Sequence, residues 1–475
     1  MWTMSGRWLT TCVSSACKPM AKVLIIGGGI SGLSAAYYLA KAGLRPTIIE
    51  RDNRLGGVIK TEYAHGCILE CGPDSFLAAK PQAMELIREV GLAGDVINSN
   101  DHLRKTYILK KGKLIPMPDG LMMMVPTKIM PLIVTPLLSW GCKIRMGLEM
   151  LRRPTGQRED RSVADFLIDH YGEEALDYLA EPLLAGVYGG DPRQMSVNSV
   201  LTRFVEIEAK YGSLSRGTLA APKPPGSGSG GSLFRTLKNG LSSLTDKLIP
   251  SADCIHGAAE AFELTESGFR VRVNSEWLDA DSVIMATPAY NAAELLKPAS
   301  GRLAELLMQT PYNDSTTLSL GYKKATFDHP LPGFGFLVPK KERGYVAACT
   351  WVNNKFSGRA AEDTVLLRCF MGQEGMKQTD EALVSIARQE LARIMGLKAE
   401  PYFYSVSRWP GSMAQFTVGH EKRLAEVEAL TARIPGLSLI GNGYRGIGIP
   451  DCIKGGKEAA AKIVGAPVAA AVGKH

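Results

Sequence analysis

The sequence predicts an α/β chain, α+β overall, built on a doubly wound frame. Two observations carry this. Residues 21–50, AKVLIIGGGISGLSAAYYLAKAGLRPTIIE, read as a nucleotide-binding βαβ unit. Apolar strands of the same kind return far along the chain, at 280–288 (ADSVIMATP) and 437–440, so the nucleotide domain is discontinuous and other material is inserted into it.

Each part of the βαβ unit has a physical task. Residues 22–26 are an apolar, β-branched strand. Gly27, Gly29 and Gly32 follow at G-x-G-x-x-G spacing, for a tight turn, a bare backbone that a pyrophosphate can approach, and close helix–strand packing. A helix over 30–42, stopped by Gly43, offers free N–H groups and a partial positive charge at its start. The second strand, 46–49, ends on Glu50, placed to accept hydrogen bonds from a ribose diol. Arg51, Arg54, Gly56 and Gly57 continue as E-R-x-x-R-L-G-G, two more bare positions beside cations that offset phosphate charge. Near the other end, 441–465 reads GNGYRGIGIPDCIKGGKEAAAKIVG, where Pro450 suits the first turn of a helix over about 451–464.

The E-R-x-x-R-L-G-G run resembles the second fingerprint of the FAD-containing amine oxidase superfamily. Amine oxidases often carry arginine after the glycines; Val58 stands there, which argues against that branch. More specific are ECGPDSF (70–76), EPLLAGVYGGDPRQM (181–195), GFGFLVP (333–339) and LIGNGYRGIGIP (439–450). Together and in this order they resemble the oxygen-dependent, FAD-containing protoporphyrinogen oxidases, a group whose bacterial members include coproporphyrinogen III oxidases. The resemblance covers 20–464, and the motifs do not separate the two substrates.

The resemblance implies a discontinuous Rossmann-like FAD domain (20–75, 240–300 and 430–466), a substrate-binding sheet domain (76–115, 213–239 and 301–429) and a helical membrane-associated lobe (116–212). FAD would be held without a covalent bond by Gly27, Gly29, Ile30, Ser31, Gly32, Glu50, Arg51, Gly56, Gly57, Gly72, Pro73, Asp74, Ile255, Thr287, Gly441, Asn442, Gly446, Gly448, Ile449 and Pro450. Some amine oxidases tether flavin to a cysteine, but a free buried thiol is the reading adopted for Cys452. The porphyrinogen substrate is large and apolar and carries propionates. Ala185, Gly186 and Phe334 match stretches that line its pocket, with a structural turn and a core aromatic as the plainer alternatives. Arg104 and Lys105 are candidate propionate anchors; in an extended segment they point to opposite faces, so one reaches the site or both are a solvated pair. No catalytic acid or base is nominated, and no metal ligands.

Composition sets further bounds. The chain has 475 residues, 45% of them hydrophobic, and a formal charge of +8 without long basic runs. No basic–aromatic module points to nucleic acid; an anionic substrate and anionic lipid are the natural partners. Oxygen as electron acceptor is what the resemblance implies. The apolar stretch 121–140 is interrupted by Pro126, Lys128, Pro131 and Pro136, so it does not read as a span. It is either a buried core segment or a surface resting on a membrane, the latter favoured by Lys143, Arg145, Arg152 and Arg153. Nine scattered cysteines suggest reduced thiols and a cytoplasmic setting. The resemblance implies a peripheral position on the inner face of the cell membrane and hand-over to a ferrochelatase. Residues 1–19 read as a disordered or leader extension, with organelle targeting the lesser reading. Residues 222–232 read as a Pro/Gly/Ser loop and 467–475 as a flexible tail.

Elsewhere the pattern predicts helices at 81–91, 161–180, 193–211, 233–249, 301–309 and 378–396, and strands at 103–109, 254–264, 268–274, 316–322, 345–352 and 364–371. Three competing functions remain at this stage: another flavin oxidase or desaturase of the superfamily, a non-enzymatic carrier on the same fold like the Rab escort proteins, and a membrane scaffold with a vestigial nucleotide site. The pocket motifs count against the first and the intact glycine fingerprint against the second; the third predicts no oxygen consumption.

Overall fold

A computed structural model describes residues 21–154, 156, 158–220 and 232–465. The leader, the 467–475 tail and all of the 222–232 loop except Ser232 lie outside these residues.

Apolar strands that are distant in sequence meet in one parallel five-stranded sheet. Its order is Asp253–His256, Thr47–Glu50, Val23–Ile26, Ser282–Met285 and Leu437–Leu439. Val23 pairs with Ser282, Leu24 with Thr47, Ile49 with Ile255 and Val283 with Leu437. A sheet buried on both faces wants continuous apolar strands, which VLII and SVIM supply. Helices Ile30–Lys41, Pro81–Glu89 and Ile449–Gly465 cover one face, through Leu33, Leu39, Leu86 and Ile453. The other face packs on the antiparallel strands 259–280 and on helices Ala289–Leu296, Gly301–Met308 and His420–Thr431.

A second, seven-stranded sheet runs in the order Phe403–Ala414, Tyr312–Lys323, Thr364–Met371, Val346–Trp351, Gly335–Leu337, Thr106–Lys110 and Lys113–Pro116. Period-two alternation sends Leu318, Leu320, Leu367 and Cys369 to a core beneath helix Asp380–Met395, while Thr317, Ser319 and Arg368 take the other face. The third unit is helical, with its own core of Met146, Val163, Phe166, Leu167, Leu176, Leu179 and Phe204.

Several predicted elements differ. The helix over 161–180 is broken at Gly172, whose φ of +88° ends Val163–Tyr171; a short helix and a π turn follow before Glu181–Tyr188. The helix over 193–211 becomes Val197–Val200 and Thr202–Tyr211. The predicted helix 233–249 begins as a strand, Phe234–Leu237, because Val96–Asn98 and Phe76–Leu77 pair with it; Gly240 at φ +84° then turns the chain into helix Ser242–Leu248. The strand over 254–264 is two strands, one parallel to Thr47–Glu50 and the other antiparallel to Gly268–Val273. The strand predicted at 103 starts at Thr106, after a 3-10 turn.

Within 121–140 lie a small hairpin (Leu121–Met122 with Val125–Pro126) and helix Ile129–Val134. Ile129, Met130, Val134, Trp140, Ile144, Leu148 and Leu151 are all more than half exposed. Three of the four basic flanking residues are engaged within the lobe: Lys143 donates to the carbonyls of Ile133 and Thr135, Arg145 to that of Ile168, and Arg152 pairs with Asp169, while Arg153 is exposed. Among the described residues no helix is long and apolar enough to cross a membrane.

Candidate functional site

Strand Val23–Ile26 delivers the chain to Gly27, whose φ is +107°; a Cβ there would lie 2.7 Å from the Ala286 carbonyl oxygen. The Gly28 amide donates to Glu50 Oε2 at 2.7 Å, and the Asp52 amide to Oε1 at 2.9 Å. A Cβ on Gly32 would lie 2.0 Å from the Gly27 oxygen, so helix and loop are in direct backbone contact. Above Gly29 the situation reverses: a Cβ would meet nothing within 4 Å. Helix Ile30–Lys41 starts there with no side-chain cap and no acidic residue in its first turn, although Ile30, Ser31 and Gly32 are buried. Buried helix-start amides beside open space suit an anionic acceptor supplied by a ligand, and these residues therefore fit a pyrophosphate.

The two glycine motifs are joined. The Gly56 amide donates to the Gly28 carbonyl at 2.8 Å, and a Cβ on Gly57 would lie 3.1 Å from Gly29 Cα. Arg54 folds back onto the carbonyls of Leu55, Ile59 and Gly57, while Arg51 is exposed and stands 3.7 Å from Asp52. Ile255 lies in register with Ile49, one residue before the His256–Glu50 pair. Thr287 Cγ2 lies 3.3 Å from a Cβ built on Gly27, and the Thr287 hydroxyl is buried without a partner.

The C-terminal element closes on the same place. Gly441 and Gly446 have φ of +133° and +149°, and a Cβ on Gly441 would lie 3.6 Å from the Thr287 carbonyl oxygen. Asn442 donates to the Ser412 carbonyl at 2.8 Å. Helix Ile449–Gly465 begins at Ile449 and Pro450, directly after Gly448. It crosses the first helix at Gly456, where a Cβ would sit 2.6 Å from the Ser31 carbonyl oxygen. Asp451 in its first turn is held by Lys80 Nζ at 2.7 and 2.6 Å. Cys452 is buried, and burial pushes its thiol up to about 11 against the opposing Ser31 hydrogen bond, so the sulfur stays protonated at neutral pH.

Gly72, Pro73 and Asp74 lie against this assembly, for a Cβ on Gly72 would overlap the Val58 carbonyl oxygen at 1.8 Å. Burial opposes ionisation of Asp74, but Lys355 and Arg368 overcome it and hold the carboxyl well below the usual range. Sequence reasoning missed these two cations. The one available signal was an arginine inside the apolar strand VLLRCF.

Of the residues expected at the substrate, Ala185 and Gly186 ride on helix Glu181–Tyr188, which packs on the sheet; a Cβ on Gly186 would touch Leu337 at 3.5 Å. Glu181 is tied to Arg343 at 2.7 Å and accepts the Lys340 amide. The buried Phe334 donates its amide to the Lys105 carbonyl at 2.8 Å and accepts from the Trp351 amide. Arg104 and Lys105 themselves are exposed, and Arg104 stands 3.7 Å from Asp101. Burial pushes the Tyr188 phenol up to about 12, and the charge of Asp451 adds to the shift.

One further cluster brings ligand-type atoms of Asp169, His170 and Glu208 within 4.8 Å of one another. Arg152 and Arg161 pair with Asp169, and Arg158 and Arg161 with Glu208. These guanidinium groups already supply the positive charge that a bound cation would bring.

Residues 30–464 match the family of flavin containing amine oxidoreductases, and the chain belongs to that family. It is an FAD-dependent oxidoreductase. It is 34% identical over 460 residues to the coproporphyrinogen III oxidase of Bacillus subtilis (strain 168), covering 92% of this chain and 96% of the relative. It is 32% identical to the coproporphyrinogen III oxidase of Staphylococcus aureus (93% and 98% covered), and 30% identical to protoporphyrinogen oxidase 1, chloroplastic, of Spinacia oleracea (93% and 84%). A crystal structure from Exiguobacterium sp. 255-15, provisionally described as a protoporphyrinogen oxidase, superposes with TM-score 0.83 at 30% identity, over 94% of this chain and 98% of that one. A reduced UDP-galactopyranose mutase shares the fold alone, with TM-score 0.70 at 15% identity over 94% and 96% of the two chains.

Proposed function

We propose that the protein catalyses the oxygen-consuming, six-electron oxidation of a porphyrinogen to a porphyrin in heme biosynthesis. Coproporphyrinogen III to coproporphyrin III and protoporphyrinogen IX to protoporphyrin IX are the two forms of this reaction. The observation that carries the reading is a pair of glycine loops joined through Gly56 and Gly28 and fit for a dinucleotide, in a chain 34% identical over 92% of its length to a coproporphyrinogen III oxidase.

In this reading the amides of Ile30, Ser31 and Gly32 bind the pyrophosphate, with Gly29, Gly56 and Gly57 as the bare floor beneath it. Glu50 fixes the glycine turn and accepts from the ribose, beside Ile255. Thr287, Gly441, Asn442, Gly446, Gly448, Ile449 and Pro450 would hold the flavin, together with Gly72, Pro73 and Asp74. Bound FAD supplies the hydride acceptor and passes electron pairs to oxygen as peroxide, three times per macrocycle. The protein orients and encloses the substrate: Ala185 and Gly186 let the macrocycle approach, Phe334 lies beneath it, and Lys105 or Arg104 holds a propionate. No general base is assigned, because pyrrole N–H protons redistribute by tautomerisation.

The exposed apolar face that includes Ile129, Met130, Val134, Trp140, Ile144 and Leu148 supports a peripheral position on the inner face of the cell membrane. Hand-over of the porphyrin to a ferrochelatase belongs to the same reading.

The test is fluorescence-monitored oxidation of coproporphyrinogen III beside protoporphyrinogen IX, with oxygen uptake followed in parallel. Rising porphyrin fluorescence with peroxide release is expected from at least one. A flavin-loaded protein that oxidises neither refutes the reading. Acid precipitation should leave the yellow colour in the supernatant; colour in the pellet would refute non-covalent binding.

A further inference from the structure

Two consecutive backbone carbonyls of the 71–74 loop, and the carboxylate of Asp74 two residues on, are held by side chains of the second sheet and the short helix beside it. The Cys71 carbonyl accepts from Thr317 Oγ1 at 3.0 Å and from Trp409 Nε1 at 2.8 Å. The Gly72 carbonyl accepts from Arg368 Nη2. Lys355 Nζ sits 2.9 and 2.8 Å from the two Asp74 carboxylate oxygens, and Arg368 Nη1 is 3.9 Å from one of them. These donors come from different places in the sheet domain: Thr317 from Tyr312–Lys323, Arg368 from Thr364–Met371, Trp409 from Phe403–Ala414, and Lys355 from the short helix Val352–Lys355.

Arg368 stands at the centre. It pairs across strands with Ser319 on one side and Thr350 on the other, and it is 3% exposed. A guanidinium so deeply buried is costly unless its partners are exact in placement, so its presence mid-strand calls for a role that an apolar residue could not fill. The loop it grips is rigidly linked onward. Gly72 abuts the Val58 carbonyl, and Gly57 of the same motif abuts Gly29. Packed backbone thus runs from the substrate sheet to the pyrophosphate loop. Lys355, Arg359 and Arg368 line one pocket with Glu70 and Asp74, a formal excess of one positive charge.

The geometry points to Arg368 as a positioning residue: with Thr317, Trp409 and Lys355 it sets the 71–74 loop against the flavin ring and so fixes the distance between the ring and the substrate floor. This inference rests on the assignment of Gly72–Asp74 to the cofactor site. Its consequence is a division of labour. The glycine loops and Glu50 decide whether FAD binds. The clamp decides where the ring stands and how easily it is reduced, since an excess positive charge beside the ring favours the reduced form.

The test compares wild type with Arg368→Lys, Arg368→Met, Trp409→Phe and Thr317→Val. FAD is titrated into each apoprotein, and the visible flavin spectrum, the flavin midpoint potential, kcat and KM are measured. Arg368→Met should lower kcat about tenfold or more, change KM for the porphyrinogen less than threefold, and move the potential to more negative values. Arg368→Lys keeps the charge but loses the planar fork; it should restore the potential more than kcat. Trp409→Phe keeps the ring and loses one donor, so a kcat loss of about two- to fivefold with altered flavin absorption is expected. If Arg368→Met fails to fold, Trp409→Phe and Thr317→Val carry the test. Wild-type kcat, spectrum and potential in the flavin-loaded variants would overturn the inference. Wild-type protein that binds FAD but oxidises no porphyrinogen would instead sink the substrate reading, and the spectrum and potential would still report on the clamp.

Discussion

The Glu50 carboxylate accepts the Gly28 amide at 2.7 Å, so the residue expected to meet a ribose also holds the glycine turn in place. Its other oxygen accepts the Asp52 amide at 2.9 Å. Glu50→Ala therefore removes a ribose acceptor and two turn-stabilising bonds together. A loss of roughly 1–3 kcal/mol in FAD affinity is expected, read by flavin titration with circular dichroism as the fold control. Unchanged affinity would show that Glu50 supports neither cofactor nor turn.

Arg104 and Lys105 are separable by charge reversal. Arg104 already faces Asp101 at 3.7 Å, whereas Lys105 shares its carbonyl with the Phe334 amide. Lys105→Glu should raise KM for the porphyrinogen roughly fivefold, the equivalent of about 1 kcal/mol, with normal FAD content. Arg104→Glu should be nearly silent. If both variants follow the parental saturation curve, the propionate is held elsewhere.

Membrane attachment is expected to depend on apolar contact more than on charge, because Lys143, Arg145 and Arg152 are engaged within the lobe. The double variant Trp140→Glu/Leu148→Glu should abolish sedimentation with vesicles while leaving oxidation of a dissolved substrate intact. Loss of vesicle binding on raising salt, with no effect of the double variant, would reverse this ranking.

The helical lobe should be acid-sensitive. His170 is buried with Glu149 Oε1 2.9 Å from Nδ1 and Glu208 Oε1 3.2 Å from Nε2. Beside it, burial opposes ionisation of Asp169, but Arg152 and Arg161 hold its pKa down to about 2. A depressed folded value means that the ionised form is favoured by folding. This stabilisation is complete above the ordinary carboxylate range near pH ~4 and is lost as pH falls toward 2. Asp169→Asn should flatten that part of an acid titration followed by circular dichroism. His170→Leu removes the imidazole between Glu149 and Glu208, leaving Glu149 to Ser213 Oγ and the Leu214 amide and Glu208 to Arg158 and Arg161, and should cost roughly 1–3 kcal/mol in denaturant unfolding. A wild-type transition in that variant would show the cluster to be energetically idle.

The nucleotide-binding unit was legible because its constraints are local. A φ of +107° at Gly27 and direct helix–loop contact at Gly32 exclude a side chain whatever the rest of the chain does, and the spacing records this. Strands 22–26 and 282–285 were legible for a related reason, since burial on both faces demands unbroken apolar runs. The break at Gly172 and the strand at Phe234–Leu237 were not. The first needs the backbone angle of one glycine among fifty, and the second exists because Val96–Asn98 lies beside it. Tertiary structure alone decided which charges point where. Arg54 folds onto its own loop, Lys143 and Arg152 bond within the lobe that follows 121–140, and Arg368 and Lys355 converge on the 71–74 loop from 281 or more residues away. Composition and period report which face a residue takes. The partner of a buried ion is set by long-range packing, where desolvation makes the pairing obligatory and sequence separation is no guide.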